Sequence, residues 1–244
     1  MNLSIGRNAA SFSSSRWLLS RISVCRRAVG VAILSVLLGA TAGEPPRIER
    51  STDPDSERGW AAYSASDFAS ALVHYRKAAA RNDALAQFNL AVMLVQGLGT
   101  APRPREGIAW LRKAAEGGLP RAQYVLAAMH ERGEHVAKSM TQATAWYREA
   151  AERGWRDAQV ALATQYFLGR GAPEDHKEAA KWYELAAAQG DGGACFVIAS
   201  MYEQGRGVPR DLERALFWYA QAAARGDPVA DIKAREVHQR LRAT

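Results

Sequence analysis

The residues of this chain that could do chemistry are few and far apart. Five histidines are spread over the sequence, at His74, His130, His135, His176 and His238. Only His130 and His135 are near each other, and they stand on either side of a predicted helix end. Because a metal site needs several ligands that converge on one point, the sequence predicts no metal site and no other cofactor. These histidines are interpreted as ordinary surface or turn residues.

The sequence also offers no activated nucleophile. Neither Ser-x-x-Lys nor Gly-x-Ser-x-Gly occurs in the repeated part of the chain, and the segment "GLGTAPRPREG" lacks the Lys-Ser/Thr that follows the glycines of a phosphate loop. Cys195 falls on a predicted packing position, where a cysteine behaves as a small buried residue. The chain is therefore predicted not to be an enzyme.

The positive charge of the chain is concentrated at its N-terminus. The chain has 32 basic and 25 acidic residues, and five arginines lie in residues 1–42, which contain no acid. Without them the excess is only about two positive charges, whereas a nucleic-acid binder should carry a basic stripe on its folded part. We therefore expect no nucleic-acid partner.

Residues 1–42 have the pattern of a secretory signal. Arg26 and Arg27 precede an uncharged apolar run over residues 28–40, and Ala40-Thr41-Ala42 offers a small-x-small cleavage site. The run is shorter than the roughly 20 residues of a membrane span. We expect a cleaved signal, a periplasmic or secreted protein and no membrane contact after cleavage. An uncleaved anchor and a mitochondrial presequence remain alternatives.

A period of 36 residues organises the rest of the chain. "AQFNLAVMLVQGLG" begins at Ala86, and similar segments begin one period apart, at Ala122, Ala158 and Ala194. Each segment predicts a first helix that ends at a glycine, and "WLRKAA", "WYREAA", "WYELAA" and "WYAQAA" mark a second helix. Ser139, Asp175 and Asp211 stand where the second helix needs an N-cap.

This periodicity predicts stacked helix pairs, because a single pair cannot bury both of its faces. The tryptophans of the second helices form one column that we expect in the core, at Trp110, Trp146, Trp182 and Trp218. The predicted divisions are a disordered linker over 43–55, a first unit over 56–85, repeats over 86–121, 122–157, 158–193 and 194–229, and a capping helix over 230–244 with a polar outer face.

The repeated motifs resemble the Sel-one-like repeat family, a relative of the tetratricopeptide repeats. The resemblance covers residues 56–244 and rests on "A-Q-x-x-L", "M-Y-x-x-G-x-G-V" and "A-x-x-W-Y-x-x-A-A-x-x-G". It implies an all-α, right-handed α/α solenoid that acts as an adaptor for other proteins. Glu134 and His135 replace the second glycine of one turn, which predicts a different backbone path there. Some secreted members have paired cysteines and a β-lactamase activity, and this chain lacks those cysteines.

Comparison of the repeats predicts where a partner would bind. On a helical wheel of the first helix, the positions that vary between units share one arc, and 12 of their 20 residues are apolar. We expect this arc to line a concave groove, although packing between neighbouring first helices is an alternative. The predicted partner-binding residues are Phe88, Asn89, Tyr124, Glu131, Arg132, Phe167, Phe196 and Glu203.

The sequence thus favours an exported, monomeric adaptor that binds a peptide segment or a partner protein in its groove. The main alternative is a cell-envelope hydrolase of the β-lactamase or peptidoglycan-processing type, which would need a nucleophile beside a base. A third alternative is a passive spacer, for which a polar groove would be expected.

Overall fold

The computed structural model describes residues 51–243, which form eleven α-helices and no strand. The predicted signal over 1–42 and the linker residues 43–50 lie outside this range. The helices are α1 Pro54–Ser64, α2 Phe68–Ala80, α3 Ala84–Gln96, α4 Pro104–Glu116, α5 Pro120–Arg132, α6 Met140–Glu152, α7 Arg156–Leu168, α8 His176–Ala188, α9 Gly192–Gln204, α10 Leu212–Ala223 and α11 Pro228–Arg242.

Each helix packs against the one before it and the one after it in the chain. The result is five helix pairs, each with a first helix (α1, α3, α5, α7, α9) and a second helix (α2, α4, α6, α8, α10), followed by α11. The predicted all-α, α/α solenoid is confirmed. The helices begin about two residues before the predicted unit boundaries.

Local signals end and begin the helices as predicted. The side chains of Ser139, Asp175 and Asp211 accept hydrogen bonds from backbone N–H groups in the first turns of α6, α8 and α10. Gly97 ends α3 with φ +74°, a left-handed conformation that suits glycine at a helix C-terminus. The same conformation ends the other full-length first helices, at Gly133, Gly169 and Gly205.

The core of each unit centres on a tyrosine of the second helix and not on the neighbouring tryptophan. Tyr147 is 1% exposed, whereas Trp146 is half-buried. The same column holds three more tyrosines and one leucine, all nearly inaccessible, at Tyr75, Leu111, Tyr183 and Tyr219. Only one tryptophan of the predicted core column, Trp182, is buried, and it is still 8% exposed. A residue one position earlier on a helix points about 100° away, so the tryptophans cover the margin of the core.

Glutamine side chains join consecutive units. Gln87, Gln123 and Gln159, one period apart, each donate through Nε2 to a backbone carbonyl near the end of the preceding second helix, at 3.2, 3.0 and 3.2 Å. Each of these carbonyls also accepts a backbone N–H from the turn that follows its helix, so the glutamine adds a second hydrogen bond that links two units. In the last unit Cys195 takes this place, and its Sγ lies 3.7 Å from the carbonyl oxygen of Ala187.

The two ends of the described solenoid differ from the predictions in detail. The linker predicted over 43–55 includes residues that fold, because Asp53 caps α1 and α1 begins at Pro54. At the other end, α11 buries Ala230 and Val237 and exposes charged residues, in keeping with a capping helix, but Ile232 is also exposed.

Candidate functional site

The aromatic residues predicted to line the groove are buried. Phe88, Tyr124 and Phe196 are 2%, 3% and 2% exposed, and Phe167 is 5% exposed. The prediction that these four rings form an accessible binding surface is therefore wrong.

The cause is the direction in which these positions point. The ring of Tyr124 lies 5.6 Å from that of Tyr147, and the ring of Phe196 lies 5.2 Å from that of Tyr219. In both cases the first helix meets the core tyrosine of its own second helix. The variable arc thus faces a packing partner within the unit.

The two predicted acidic anchors also serve this internal contact. Glu131 accepts a hydrogen bond from the hydroxyl of Tyr147 at 2.9 Å and one from Gln165 at 3.4 Å. Glu203 accepts from the hydroxyl of Tyr219 at 2.9 Å and from Arg240 at 2.6 Å. Each carboxylate therefore satisfies a tyrosine hydroxyl that would otherwise be buried without a partner.

Variation at these positions depends on how each unit accommodates the core residue of its second helix. In the third repeat Phe167 replaces the glutamate, and the hydroxyl of Tyr183 instead lies 2.9 Å from Thr164. In the first repeat the glutamate is replaced by Val95 and the tyrosine by Leu111, so no hydroxyl needs a partner. Much of the variation that suggested recognition is thus explained by how the first and second helices of each unit pack against each other.

Burial keeps the core tyrosines in their hydrogen-bonding form. It raises the pKa of Tyr147 well above the ordinary value, and the negative charge of Glu131 raises that pKa further. The pKa of Tyr219 is raised for the same reasons, by burial and by Glu203. Both hydroxyls therefore remain protonated and can donate at neutral pH.

The accessible part of the variable arc is smaller and includes the four polar predicted residues, of which Glu131 and Glu203 bind the core tyrosines. Asn89 and Arg132 are half-buried, and the guanidinium of Arg132 lies 3.7 Å from Glu134. In the third repeat Val160 replaces the aromatic residue of the other units, and Val160, Ala161 and Leu168 are all half-buried. The next first helix then begins with Gly192-Gly193, without side chains at its first two positions. The three half-buried apolar residues Val160, Ala161 and Leu168 are together called the third-repeat notch.

The potentially reactive residues are used in packing. No group of three or more His, Cys, Asp and Glu residues suited to a metal ion occurs within residues 51–243. Cys195 is buried as predicted, and burial raises the pKa of its thiol, which disfavours the nucleophilic thiolate. His130 was predicted on the surface, but it is buried and its Nδ1 lies 3.1 Å from the carbonyl oxygen of Ala137.

The turn with His135 follows the same path as the others, contrary to prediction. His135 has φ +59°, close to the +72°, +71° and +73° of the glycines one period away, Gly99, Gly171 and Gly207. A Cβ at Gly171 would lie 2.2 Å from the carbonyl oxygen of Met140. The second repeat therefore holds a strained non-glycine residue where the other repeats use glycine to allow a close contact.

Sequence reasoning missed a cluster of charged residues at the start of the solenoid. Asp53 and Asp55 at the beginning of α1 bind Arg81, which follows α2. Asp53 and Asp55 fall in the segment that the sequence predicts to be a linker, over 43–55. The Asp-Pro-Asp sequence, which is typical of a helix N-terminus, was the available signal.

Comparison with known proteins agrees with this architecture. The family model described as Sel1 repeat matches residues 58–83, 84–119, 120–155, 156–191 and 193–227. No match was found among curated proteins. None of the helices in residues 51–243 is long and apolar enough to cross a membrane.

Two solved structures are similar in sequence and fold. A Sel1 repeat protein from Oxalobacter formigenes is 32% identical, with a TM-score of 0.68 over 74% of each chain. A protective antigen of uropathogenic Escherichia coli with an SLR fold is 35% identical, with a TM-score of 0.60 over 65% of this chain. This chain spans only 34% of the length of that antigen. Because the five matched segments cover more than half of the sequence, the chain belongs to the Sel1 repeat family.

Proposed function

We propose that this protein is an exported scaffold that binds an extended segment of a partner protein along the groove formed by its first helices. Sel1 repeat proteins are generally protein-interaction scaffolds, which supports the class of function. The observation that carries the site is the third-repeat notch, where three apolar residues of one first helix remain half-exposed on the variable arc.

The chemistry of the notch indicates what it would accept. Its residues Val160, Ala161 and Leu168 offer apolar surface that is not fully buried. A few well-buried side chains dominate the binding energy of many interfaces. We therefore expect the partner segment to insert an apolar side chain here.

The predicted site residues then have different roles. Asn89 and Arg132 are half-buried polar residues of the variable arc and would fix the position of the segment through hydrogen bonds. Phe88, Tyr124, Phe167 and Phe196 would act indirectly, because they hold the first helices against the second helices. Glu131 and Glu203 would act in the same indirect way, through the core tyrosines.

A charged side chain introduced into the notch tests this proposal. Ala161→Arg should weaken binding at least about tenfold, since burial of one apolar anchor is worth at least about 1.4 kcal/mol. The matched control is Ala145→Arg, which makes the same change at an exposed position of α6. The partner is first captured from an envelope extract and identified, and the purified partner is then titrated against each variant by calorimetry.

The same two variants define the result that would contradict the proposal. Melting temperatures of both variants should stay close to that of the wild type, which separates binding from unfolding. If Ala145→Arg abolishes binding while Ala161→Arg binds normally, the partner contacts the second helices and the groove is not the site.

Export and the monomeric state are parts of the same proposal. Sel1 repeat homologues are often extracellular or periplasmic, which supports export. Intact-mass analysis of exported protein should find Gly43 as the first residue, and light scattering should give the mass of one chain. Recovery of the full-length chain in the soluble cytoplasm would contradict cleavage after Ala42.

A further inference from the structure

The first helix of the described solenoid is held differently from the others. The fully buried residues of α1 are Ser56 and Gly59, neither of which has a large apolar side chain, whereas α11 at the other end buries Val237 completely. The apolar residues of α1 that pack against the core, Ala62 and Tyr63, remain half-exposed. A helix of this length is not stable by itself, so its apolar and polar contacts with α2 hold it in place.

Those polar contacts converge on one arginine. Arg81 donates to both carboxylate oxygens of Asp53, at 2.9 and 2.7 Å, and to Asp55 at 2.7 Å. A guanidinium that binds a carboxylate through two parallel hydrogen bonds forms a strong and directional pair. Since Asp53 is the N-cap of α1, the arginine fastens the start of α1 to the end of α2.

A histidine completes the contact. His74 of α2 places its Nδ1 3.0 Å from Asp55. His74 stands one period before Trp110, so this unit has a titratable ring where the other four have tryptophan. The group formed by Asp53, Asp55, His74 and Arg81 is called the N-terminal latch.

Two further positive charges act on Asp55, and one more hydrogen bond holds the residues before α1. Arg58 lies 3.7 Å from Asp55, and the positive charge of Lys77 also acts on Asp55. Ser51 donates a hydrogen bond to Asp83, which ties the residues before α1 to the start of α3. The carboxylates of α1 therefore face mainly positive charge, and their ionised form is the one that holds α1.

The docked helix covers a core residue. A Cβ at Gly59 would lie 2.8 Å from the ring of Tyr75, so the backbone of α1 sits directly against this ring. Tyr75 is 1% exposed. Departure of α1 would uncover Tyr75 of α2 while leaving α2 to α11 packed.

We infer that α1, the first helix of the described solenoid, can detach, and that the N-terminal latch holds it in place except in acid. Release of the latch uncovers Tyr75 before the rest of the solenoid unfolds. This inference does not depend on what the groove binds.

The pH at which the latch should open follows from its carboxylates. Arg81 lowers the pKa of Asp53 from 3.8 to about 2, and it also lowers the pKa of Asp55. A carboxylate with a lowered pKa stabilises the folded state fully above its unfolded pKa, and this stabilisation is lost as the pH falls through the folded pKa. The latch should therefore weaken between about pH 4 and pH 2.

Hydrogen exchange measured by mass spectrometry on the purified protein tests the inference. From pH 6 to pH 3, protection factors of peptides covering α1 should fall at least about tenfold more than those of α5 to α8. Arg81→Ala should produce the same loss at pH 7, and trypsin should then cleave after Arg58 in a chain that is otherwise resistant.

Matched variants separate the latch from other effects. Arg153 occupies the position of Arg81 two periods later and binds Glu149 within its own helix, so Arg153→Ala should leave α1 protected. Asp53→Asn can keep the N-cap hydrogen bonds but loses the charge, so it should weaken α1 at pH 7 and reduce the dependence on pH.

Two results would overturn the inference. One is that α1 in the Arg81→Ala variant remains as protected as in the wild type at pH 7. The other is that α1 loses protection in acid only together with α5 to α8, which would mean that the solenoid unfolds as a whole.

Discussion

Replacement of Tyr147 should destabilise the protein far more than replacement of the adjacent Trp146. The two residues occupy successive positions of α6, and a tryptophan is the larger of the two side chains. Tyr147 is 1% exposed and contacts both Tyr124 and Glu131, whereas Trp146 remains half-buried at the margin of the core.

The expected difference can be worked out from burial and hydrogen bonding. Truncation of a buried aromatic residue to alanine costs about 3–5 kcal/mol. Tyr147→Ala also removes a hydrogen bond to the carboxylate of Glu131, and bonds to charged groups contribute about 1.5–3 kcal/mol. Glu131 keeps Gln165 at 3.4 Å, and water can reach the half-buried carboxylate, so we expect a total of about 4–5 kcal/mol.

The same reasoning gives a smaller loss at the tryptophan. About half of the 150–250 Å² of an aromatic side chain is removed from water at a half-buried site, which at about 25 cal/mol per Å² corresponds to about 2–3 kcal/mol. Tyr147→Phe keeps the ring and removes only the hydroxyl, and should cost about 1.5 kcal/mol.

Urea denaturation followed by circular dichroism at 222 nm measures these differences. With a slope of about 2 kcal/mol per M, the midpoint of Tyr147→Ala should lie about 1 M below that of Trp146→Ala. A double variant, Tyr147→Leu with Glu131→Val, reproduces the pair found in the first repeat and should be more stable than Tyr147→Leu alone. Equal midpoints for the two alanine variants would refute the assignment of the core to the tyrosine column.

The other predictions concern the turns, the joints between units and the absence of catalysis. His135→Gly should raise stability by about 1 kcal/mol, because glycine adopts the left-handed conformation of this position without strain. Gly171→Ala should lower stability, since its Cβ would collide with the carbonyl oxygen of Met140. Thermal melts compare the two variants with the wild type. Cys195→Gln should restore the bond to the Ala187 carbonyl and raise stability by about 1 kcal/mol in the same assay, and a lower melting temperature would show that the site is too small. The purified protein should not hydrolyse a chromogenic β-lactam and should melt at the same temperature with a chelator; hydrolysis that is lost on changing one residue of the protein would contradict this.

The helices and their order could be predicted from the sequence because their signals are local. Glycine at a left-handed C-terminus and Ser or Asp at an N-cap act within a few residues, and the period of 36 repeats them. The choice between Trp146 and Tyr147 could not be made in this way. Both are large and adjacent, and which of them faces the core depends on where the neighbouring helix lies.

The candidate site was harder to predict for a related reason. Variation between repeats suggests recognition, but Glu131 contacts Tyr147 of the same unit, and Val95 occurs together with Leu111. The third repeat combines Phe167 with a tyrosine, so the two columns do not change together in every unit, and only the structure shows that Thr164 takes the place of the glutamate. The partial exposure of Val160 and Ala161, by contrast, depends on how the neighbouring helices pack, which no pattern along the sequence specifies.

The glutamine contacts between units have a consequence for how such a chain can change during evolution. Each glutamine binds a main-chain oxygen of the unit before it, and every unit presents such an oxygen whatever its side chains are. A joint of this kind is compatible with any neighbour that ends its second helix in the same way. Duplication, loss or exchange of a whole 36-residue unit would therefore preserve the joint, and recombination could lengthen the protein or reorder its surface without a compensating substitution at the boundary.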